Sequence, residues 1–253
     1  MKSVWNGYVS FGLVSIPVRL YAAVENQAIS FRLICSECKS PIRYKRFCEG
    51  CKREVPWGEV LKAIEIRKGQ FYVFEKEELE KLKPAKADTI DVVEFVDAHQ
   101  VDPIYIHKHY YCAPQKPKDK AYFLFREVLE STARVAIGRF VMREKEHTCI
   151  ISAYKDGMLL TTLNYQYEIR DIKRVEELKE PPKLKKEELE LAKQLVQKLT
   201  TDEFDISEFK DTFAEQLKEL IRKKEKGEPV IIKEAKQPKV EKNLIQALKA
   251  SLK

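Results

Sequence analysis

The chain has 253 residues, of which 44% are hydrophobic and 34% are charged, and its formal net charge is +7. This composition is typical of a globular protein with a heavily charged surface, and the length allows a core that needs no disulfide or metal support. No uninterrupted apolar run approaches the roughly 18 residues of a membrane helix, which argues against a membrane-spanning protein.

The N-terminal segment predicts short β-strands. Residues from Ser3 to Val24 are mostly β-branched or aromatic and are interrupted by two glycines and a proline, a pattern typical of strands that turn around the corner of a barrel. The apolar run from Val9 to Ile16 is preceded only by Lys2, so it is a poor secretion signal. We therefore expect a reducing, cytoplasmic compartment, where paired cysteines act as metal ligands rather than disulfides.

Two C-x-x-C pairs follow this segment, formed by Cys35, Cys38, Cys48 and Cys51. Two such pairs on neighbouring turns supply four thiolates for a tetrahedral zinc ion, and Gly50 suits a tight turn. We predict one structural zinc ion per chain, with free thiols as the alternative. Four protein ligands leave no position for water, so the predicted site is closed and non-catalytic.

The segment around the cysteines is basic. Between residues 32 and 53 there are seven basic and two acidic residues, so most of the chain's excess positive charge lies here. Four thiolates on zinc would add about two negative charges, which weakens this excess without cancelling it. Alternate side chains of a strand could hold DNA phosphates without sequence preference, although a solvated charged face is the simpler alternative. The candidate phosphate-binding residues are Arg32, Arg43, Lys45, Arg46, Lys52 and Arg53, together with Arg19 and Lys68 outside the segment.

Strand patterns continue along the chain and enclose one helix. Strands are predicted over Ala63 to Phe74 with a turn at Lys68-Gly69, and over Thr89 to Val96, Pro103 to Cys112, Ile137 to Met142, Thr148 to Tyr154 and Met158 to Tyr165. Lys155-Asp156-Gly157 between the last two is a strong hairpin signal. A helix is predicted from Ala121 to Val135, with a buried stripe of Ala121, Leu124, Phe125, Val128, Leu129 and Thr132. These patterns predict an α+β fold whose core is dominated by antiparallel strands.

The chain becomes helical after Pro181-Pro182. One amphipathic helix is predicted from Lys185 to Leu199, and a second from about Ser207 to Lys226, with Gly227 placed to end it. Their apolar stripes must be buried either on their own domain or against a second subunit. We therefore delimit a core over residues 1–180, a helical arm over 183–227 and a basic tail over 228–253.

The tail ends in a short amphipathic segment. From Lys233 to Lys253 there are six lysines and two glutamates. A final helix would align Leu244, Ile245, Leu248 and Leu252, but so short a helix is marginal alone in water. It could be a docking peptide or a basic tail that contacts DNA, and a solvated tail without a role is the alternative.

Catalytic motifs are sparse. The chain has no phosphate-binding G-x-x-x-x-G-K-[ST] motif, no G-x-G-x-x-G motif and no nucleophile elbow. His107 and His109 alternate along a predicted strand with Asp102 nearby, which is a conceivable start for a metal-dependent nuclease. Histidines on a strand are more often structural. Cys112 and Cys149 are expected to be buried thiols.

Several segments resemble the prokaryotic Ku family. They are WNGYVSFGLVSIPVRLYAAV near the N-terminus, VDPIYIHKHYYCAP followed by AYFLFREVLE, and ELAKQLVQKL running into FKDTFAEQLKELIRKKEKGEP, while the final NLIQALKASLK is similar to the short tail of minimal members. The resemblance covers nearly the whole chain in the right order. The cysteine quartet is not assumed for every member, so the zinc prediction rests on cysteine spacing alone.

The resemblance implies a non-enzymatic protein that binds DNA ends. In such a protein, two copies form a ring in which antiparallel β-barrels cradle the duplex, paired bridging insertions close the ring, and C-terminal helical arms wrap the partner subunit. The bridging insertion would span about residues 27–70. The chain lacks the extra N-terminal domain of eukaryotic relatives and the long lysine-rich extension of some bacterial ones, so we expect the functions of those parts to be absent.

The combined prediction is sequence-independent binding of double-stranded DNA ends by a homodimer that recruits an ATP-dependent DNA ligase in non-homologous end joining. It would work in the prokaryotic cytoplasm, at the nucleoid, without membrane partners. Two alternatives belong to other classes. One is a metal-dependent nuclease that uses His107, His109 and Asp102, and the other is a zinc-ribbon transcription regulator.

Overall fold

A computed structural model describes residues 1–27, 29–82, 88–143, 145–227 and 244–252 of the chain. The chain divides into two units. The first comprises Met1–Gln27 and Phe31–Arg170, and the second consists mainly of the residues from Asp171 onward. None of the helices in the described ranges combines the length and the apolar character that crossing a bilayer requires.

The first unit contains a closed β-barrel, as predicted for an α+β fold. Its strands are β1 (Trp5–Phe11), β2 (Val14–Ala22), β7 (Thr89–Asp97), β8 (Ile106–Pro114), β9 (Arg134–Met142), β10 (Lys145–Tyr154) and β11 (Gly157–Leu163). They are ordered β1-β2-β8-β11-β10-β9-β7. All neighbours are antiparallel except β1 and β7, which pair in parallel and close the barrel.

The β1–β2 hairpin confirms the predicted strands near the N-terminus. Gly12 lies in its turn with a φ of +57°, a conformation that glycine adopts without strain. Gly7 is required for a different reason, because a Cβ there would lie 2.2 Å from the carbonyl oxygen of Asp88. Buried residues alternate along the strands as the period of two demands, and in β2 they are Ile16, Val18 and Leu20.

Helix α2 (Lys120–Thr132) packs against the barrel core with a face that only partly matches the predicted one. Leu124 and Val128, both assigned to the buried stripe, are 62% and 45% exposed. Phe125 and Leu129 are buried as predicted, and the third buried residue is Tyr122, which was not in the predicted stripe. The helix is rotated toward Tyr122 because this side chain both fills the core with a large ring and hydrogen-bonds to the backbone of two strands.

Residues between β2 and β7 form an insertion with two small sheets. β3 (Phe47–Cys48) pairs with β4 (Arg53–Glu54), and β5 (Lys62–Arg67) pairs with β6 (Gln70–Phe74). Helix α1 (Lys76–Leu82) follows. The predicted turn at Lys68-Gly69 is confirmed, since Gly69 has a φ of +80° between β5 and β6.

The strand predicted from Pro103 begins later than expected. Pro103–Tyr105 is a 3-10 helix, and β8 starts at Ile106. The carboxylate of Asp102 accepts a hydrogen bond from the backbone N–H of Ile104 at 3.0 Å. This cap, together with a proline at the first helical position, favours the helical turn over an extended strand.

The second unit contains helices α3 (Lys186–Leu199), α4 (Thr212–Glu225) and α5 (Leu244–Leu252). The helix predicted from Ser207 begins only at Thr212, because Asp211 caps it by accepting from the backbone N–H of Ala214 at 3.0 Å. A separate 3-10 helix, Ile206–Glu208, precedes it. Gly227 follows α4 with a φ of +71°, as its predicted role requires. The predicted basic tail spans 228–253, and its residues 228–243 and 253 lie outside the described residues.

Candidate nucleic-acid interface

Each cysteine pair lies in a local turn that is followed by a lysine with a left-handed backbone. The backbone N–H of Lys39 donates to the carbonyl of Cys35 at 3.0 Å, and the N–H of Cys51 donates to Sγ of Cys48 at 3.4 Å. The lysine after each pair has a left-handed backbone, with φ of 56° at Lys39 and 51° at Lys52. Gly50, which was expected to supply the tight turn, is not among the residues with positive φ. Both turns are therefore shaped by the residues that follow the pairs.

Backbone donors favour the thiolate form of one cysteine in each pair, while in the second pair the neighbouring Cys48 raises the pKa of Cys51. The N–H of Ser40 lowers the pKa of Cys38 to about 7, and the N–H of Cys51 lowers the pKa of Cys48. Thiolates are the species that bind zinc, so the donor chemistry fits the predicted metal. The geometry brings together the members of each pair. Among the described residues, however, no three His, Cys, Asp or Glu side chains gather at one point, and the four-cysteine zinc site stays a prediction.

Seven of the eight predicted cations lie on this insertion and are exposed: Arg32, Arg43, Lys45, Arg46, Lys52, Arg53 and Lys68. Arg19 lies apart from them on the outer face of β2, between buried Val18 and Leu20, and Lys68 lies in the turn between β5 and β6. The structure therefore concentrates most of the predicted residues on one insertion and leaves one of them on the barrel wall.

Three of the insertion cations are paired with nearby carboxylates. Nζ of Lys45 lies 2.7 Å from Glu54, Nζ of Lys52 lies 2.9 Å from Glu49, and a guanidinium nitrogen of Arg53 lies 2.6 Å from Glu59. All these side chains are about half exposed or more, and such surface pairs contribute only about 0–1 kcal/mol. A DNA phosphate could therefore replace a carboxylate at little cost.

The other insertion cations are differently placed. Arg32 and Arg43 form no ion pair with any residue in the described ranges. The guanidinium of Arg46 lies 4.7 Å from the ring centre of Trp57 and donates to the carbonyl of Val55. Arg32 and Arg43 are thus the cations most readily available to phosphates.

Exposed aromatic and aliphatic residues on the insertion escaped the sequence analysis. An open pocket of about 490 Å³ is lined by Phe31, Arg32, Leu33, Pro41, Ile42 and Tyr44. Trp57, which supports Arg46, is 72% exposed. The mixture of apolar and basic residues from Ile42 to Phe47 was a usable signal, because it places aromatic rings next to cations along a short segment.

The residues of the nuclease hypothesis do not form a metal site. Asp102 caps a 3-10 helix through its carboxylate. Nδ1 of His109 lies 2.9 Å from the hydroxyl of Thr161. Neither these residues nor His107 belong to a cluster of three potential ligands in the part of the chain that the structure describes. The geometry offers no support for metal-dependent cleavage at this position.

The helical unit leaves its apolar residues exposed. None of the described residues from Asp171 onward is buried. On and beside α4, Phe209 and Phe213 are 70% and 66% exposed. Helix α5 packs against α3, where Nζ of Lys198 donates to the carbonyl of Leu252 at 3.0 Å and Lys249 pairs with Glu187 at 3.3 Å. The final helix, predicted to be marginal alone, is thus supported by α3.

A scan against protein families matches residues 10–191 to a model described as the Ku70/Ku80 beta-barrel domain. Curated relatives carry the name non-homologous end joining protein Ku. The relative from Heliobacterium modesticaldum is 37% identical over 100% of this chain and 91% of its own length, and that from Archaeoglobus fulgidus is 35% identical over 100% and 98%. The relative from Symbiobacterium thermophilum is 37% identical over 90% of this chain, and the matched region covers 57% of that longer protein.

Proposed function

This chain belongs to the Ku family, and from that premise we propose that it binds double-stranded DNA ends without sequence preference and acts in non-homologous end joining. The observation that carries the proposal is the match of the Ku barrel to residues 10–191, a range that encloses the exposed basic insertion. Lysine and arginine contacts to phosphates give affinity for any sequence, because the DNA backbone is the same everywhere.

The insertion supplies the phosphate contacts in this proposal. Arg32 and Arg43 make them directly, while Lys45, Lys52 and Arg53 exchange their surface carboxylate partners for phosphates. Arg46, Lys68 and Arg19 complete the set. Each phosphate contact releases counterions, so binding weakens as salt rises.

The working form in this proposal is a ring-shaped homodimer. Exposed apolar residues support it. The β5–β6 hairpin carries Ile64, Ile66 and Phe71 at 60–62% exposure, and an isolated two-stranded hairpin is at best marginally stable in water. The helices of the second unit likewise expose their apolar stripes. A second copy of the chain would cover both surfaces.

A closed ring explains a preference for ends. A duplex can enter a closed opening only at a terminus, whereas an open groove admits it from the side. The ring itself performs no covalent chemistry in this proposal. It is a non-enzymatic factor that holds the end and recruits an ATP-dependent DNA ligase, which seals the break.

Zinc is part of the proposal. One ion per chain would be held by Cys35, Cys38, Cys48 and Cys51, in support of which stand the two turns and the lowered thiol pKa values of Cys38 and Cys48. When bound, the ion would cross-link the two turns of the insertion and stabilise its fold.

The decisive experiment compares a linear duplex with the same molecule closed into a circle. We expect tight binding to the linear form, weak binding to the circle, and protein that stays trapped when the ends are ligated after loading. Equal affinity for the two forms would refute threading and favour a regulator that binds from the side. Cleavage with added Mg²⁺ or Mn²⁺, abolished by His107→Ala, would instead favour the nuclease.

A further inference from the structure

Four adjacent strands of the barrel, β1, β2, β8 and β11, contain no aspartate or glutamate. The whole chain has 40 acidic residues, and β7, on the other side of β1, carries Asp91, Glu94 and Asp97. The absence therefore distinguishes this part of the barrel, which we call the carboxylate-free wall. Exposed Arg19 stands on it. A surface of this kind attracts an anionic polymer and offers no repelling charge of its own.

Three tyrosines form a row across the wall and its neighbour β10. Tyr21 on β2 lies directly opposite Tyr111 on β8. The rings of Tyr111 and Tyr154 stack, with centres 6.2 Å apart and planes inclined by 28°. Tyr111 is 37% and Tyr154 is 40% exposed. Because Tyr21 and Tyr111 alternate with the buried Leu20 and Cys112, they point away from the core.

Cations stand at both ends of this tyrosine row. Nζ of Lys155 lies 5.5 Å from the ring centre of Tyr154. Lys155 has a φ of +49°, and Nε of Arg126 donates to its carbonyl at 3.1 Å, which fixes the turn that presents the lysine. At the other end, Arg19 precedes Tyr21 by two residues and so lies on the same face. The turn that presents Lys155 also contains one acidic residue, Asp156.

Aromatic rings flanked by cations suit a single strand of nucleic acid. Unpaired bases stack on aromatic side chains while their phosphates contact the cations. Paired bases in a duplex are already stacked on one another and present only their edges in the grooves, so tyrosine rings add little there. We propose that the tyrosine row binds the unpaired strand of a DNA end that carries an overhang. The inference rests on the proposed function for the identity of the polymer, but it concerns the overhang rather than the duplex.

A second tyrosine pair provides a matched control. The rings of Tyr165 and Tyr167 stack, with centres 5.4 Å apart and planes inclined by 9°. Nζ of Lys145 lies 6.0 Å from the ring centre of Tyr165. Here, however, Lys145 also pairs with Glu168 at 3.6 Å. A carboxylate beside the rings repels phosphates, so this pair is not expected to bind the strand although its stacking is closer.

The experiment measures the affinity of the full chain for a blunt duplex, for the same duplex with a single-stranded extension, and for a short thymidine oligonucleotide. We expect the extension to raise the affinity of the unchanged protein about fivefold or more, in keeping with one stacked base. The double substitution Tyr111→Leu and Tyr154→Leu should remove this increment. The corresponding phenylalanine variant should keep it, since the rings remain, and Tyr167→Leu should keep it as well.

Two outcomes would overturn the inference: equal affinity of the unchanged protein for blunt and extended duplexes, or an increment that survives in the double leucine variant. If that variant fails to fold, the single substitution Tyr154→Leu, at a 40% exposed position, takes its place. Failure of the proposed function is a separate result. It would appear as equal binding of a linear blunt-ended duplex and of the same duplex closed into a circle, with the oligonucleotide result unaffected.

Discussion

The hydroxyl of Tyr122, on α2, donates a hydrogen bond of 2.6 Å to the carbonyl oxygen of Cys112, on β8. The hydroxyl oxygen of Tyr122 in turn accepts a hydrogen bond from the backbone N–H of Met158, on β11, at 3.0 Å. One buried side chain therefore ties the helix to two neighbouring barrel strands. Burial raises the pKa of this phenol, so Tyr122 stays protonated and can donate at all physiological pH values.

We expect Tyr122→Phe to lower the free energy of unfolding by about 1–3 kcal/mol, because a buried carbonyl and a buried N–H both lose their partner. Urea denaturation at a fixed protein concentration measures the change. Tyr8→Phe, at a 45% exposed position, is the control and should change little. Equal losses in both variants would contradict the role assigned to the hydroxyl.

Gly138→Ala should destabilise the barrel where β9 meets β7. An added Cβ would lie 2.9 Å from the carbonyl oxygen of Asp91 and 3.3 Å from a methyl of Ile90. Forcing an atom into a packed core costs about 1–3 kcal/mol. The matched control is Gly58→Ala, since no atom lies within 4 Å of its added Cβ. Thermal unfolding should show a lower midpoint for Gly138→Ala and an unchanged midpoint for Gly58→Ala. An unchanged midpoint for Gly138→Ala would contradict the close contact.

The six cysteines should fall into two classes in a thiol-reactivity assay. Burial raises the pKa of Cys112 to about 12 and also raises that of Cys149, so both remain inert thiols at neutral pH. The four insertion thiols should react rapidly once a chelator has removed any metal. We expect four equivalents in the native, chelator-treated protein and six in denaturant. Six rapid equivalents in the native protein would contradict the burial of the two core cysteines.

The proposed zinc site predicts about one zinc ion per chain by elemental analysis. Cys38→Ser should reduce the zinc content strongly, because three remaining ligands and a hydroxyl bind zinc more weakly than four thiolates. Cys149→Ala is the control and should retain the metal, since this thiol lies in the barrel core. Absence of zinc from protein purified without chelator would remove the site from the proposal.

Replacing Arg43 with glutamine should weaken binding to all DNA sequences equally. Loss of one phosphate contact is also expected to reduce the slope of log affinity against log salt by about one. Arg134→Gln serves as the control, because Arg134 is paired with Asp97 at 3.1 Å at the start of β9. An unchanged slope for Arg43→Gln would show that this side chain does not contact phosphate.

The strands were predictable because their alternation is directly visible in the sequence. The full set of residues that α2 buries was not predictable in this way. Leu124 and Val128 satisfy the helical period as well as Tyr122 does, and only the hydrogen bonds of Tyr122 to partners distant in sequence decide which face is buried. The start of α4 was likewise misplaced, because Asp211 is one of several residues there that could act as a cap.

The candidate site was only partly accessible from the sequence. The concentration of charge around the cysteines was visible, but the partners of Lys45 and Arg53 were not. Glu54 and Glu59 lie just outside the basic segment and reach it through the β3–β4 pairing and the 3-10 turn that follows. The tyrosine row depends on strand order, which no local pattern encodes.

The position of the insertion has a consequence for biosynthesis. The β1–β2 hairpin is flanked in the barrel by β7 and β8, and both follow the whole segment from 23 to 88 in the chain. At about 5–20 residues per second, a ribosome would need several seconds to deliver these partners. During that interval both edges of the nascent hairpin remain open to other strands. Translation speed through the insertion should therefore influence how much of the newly made protein aggregates.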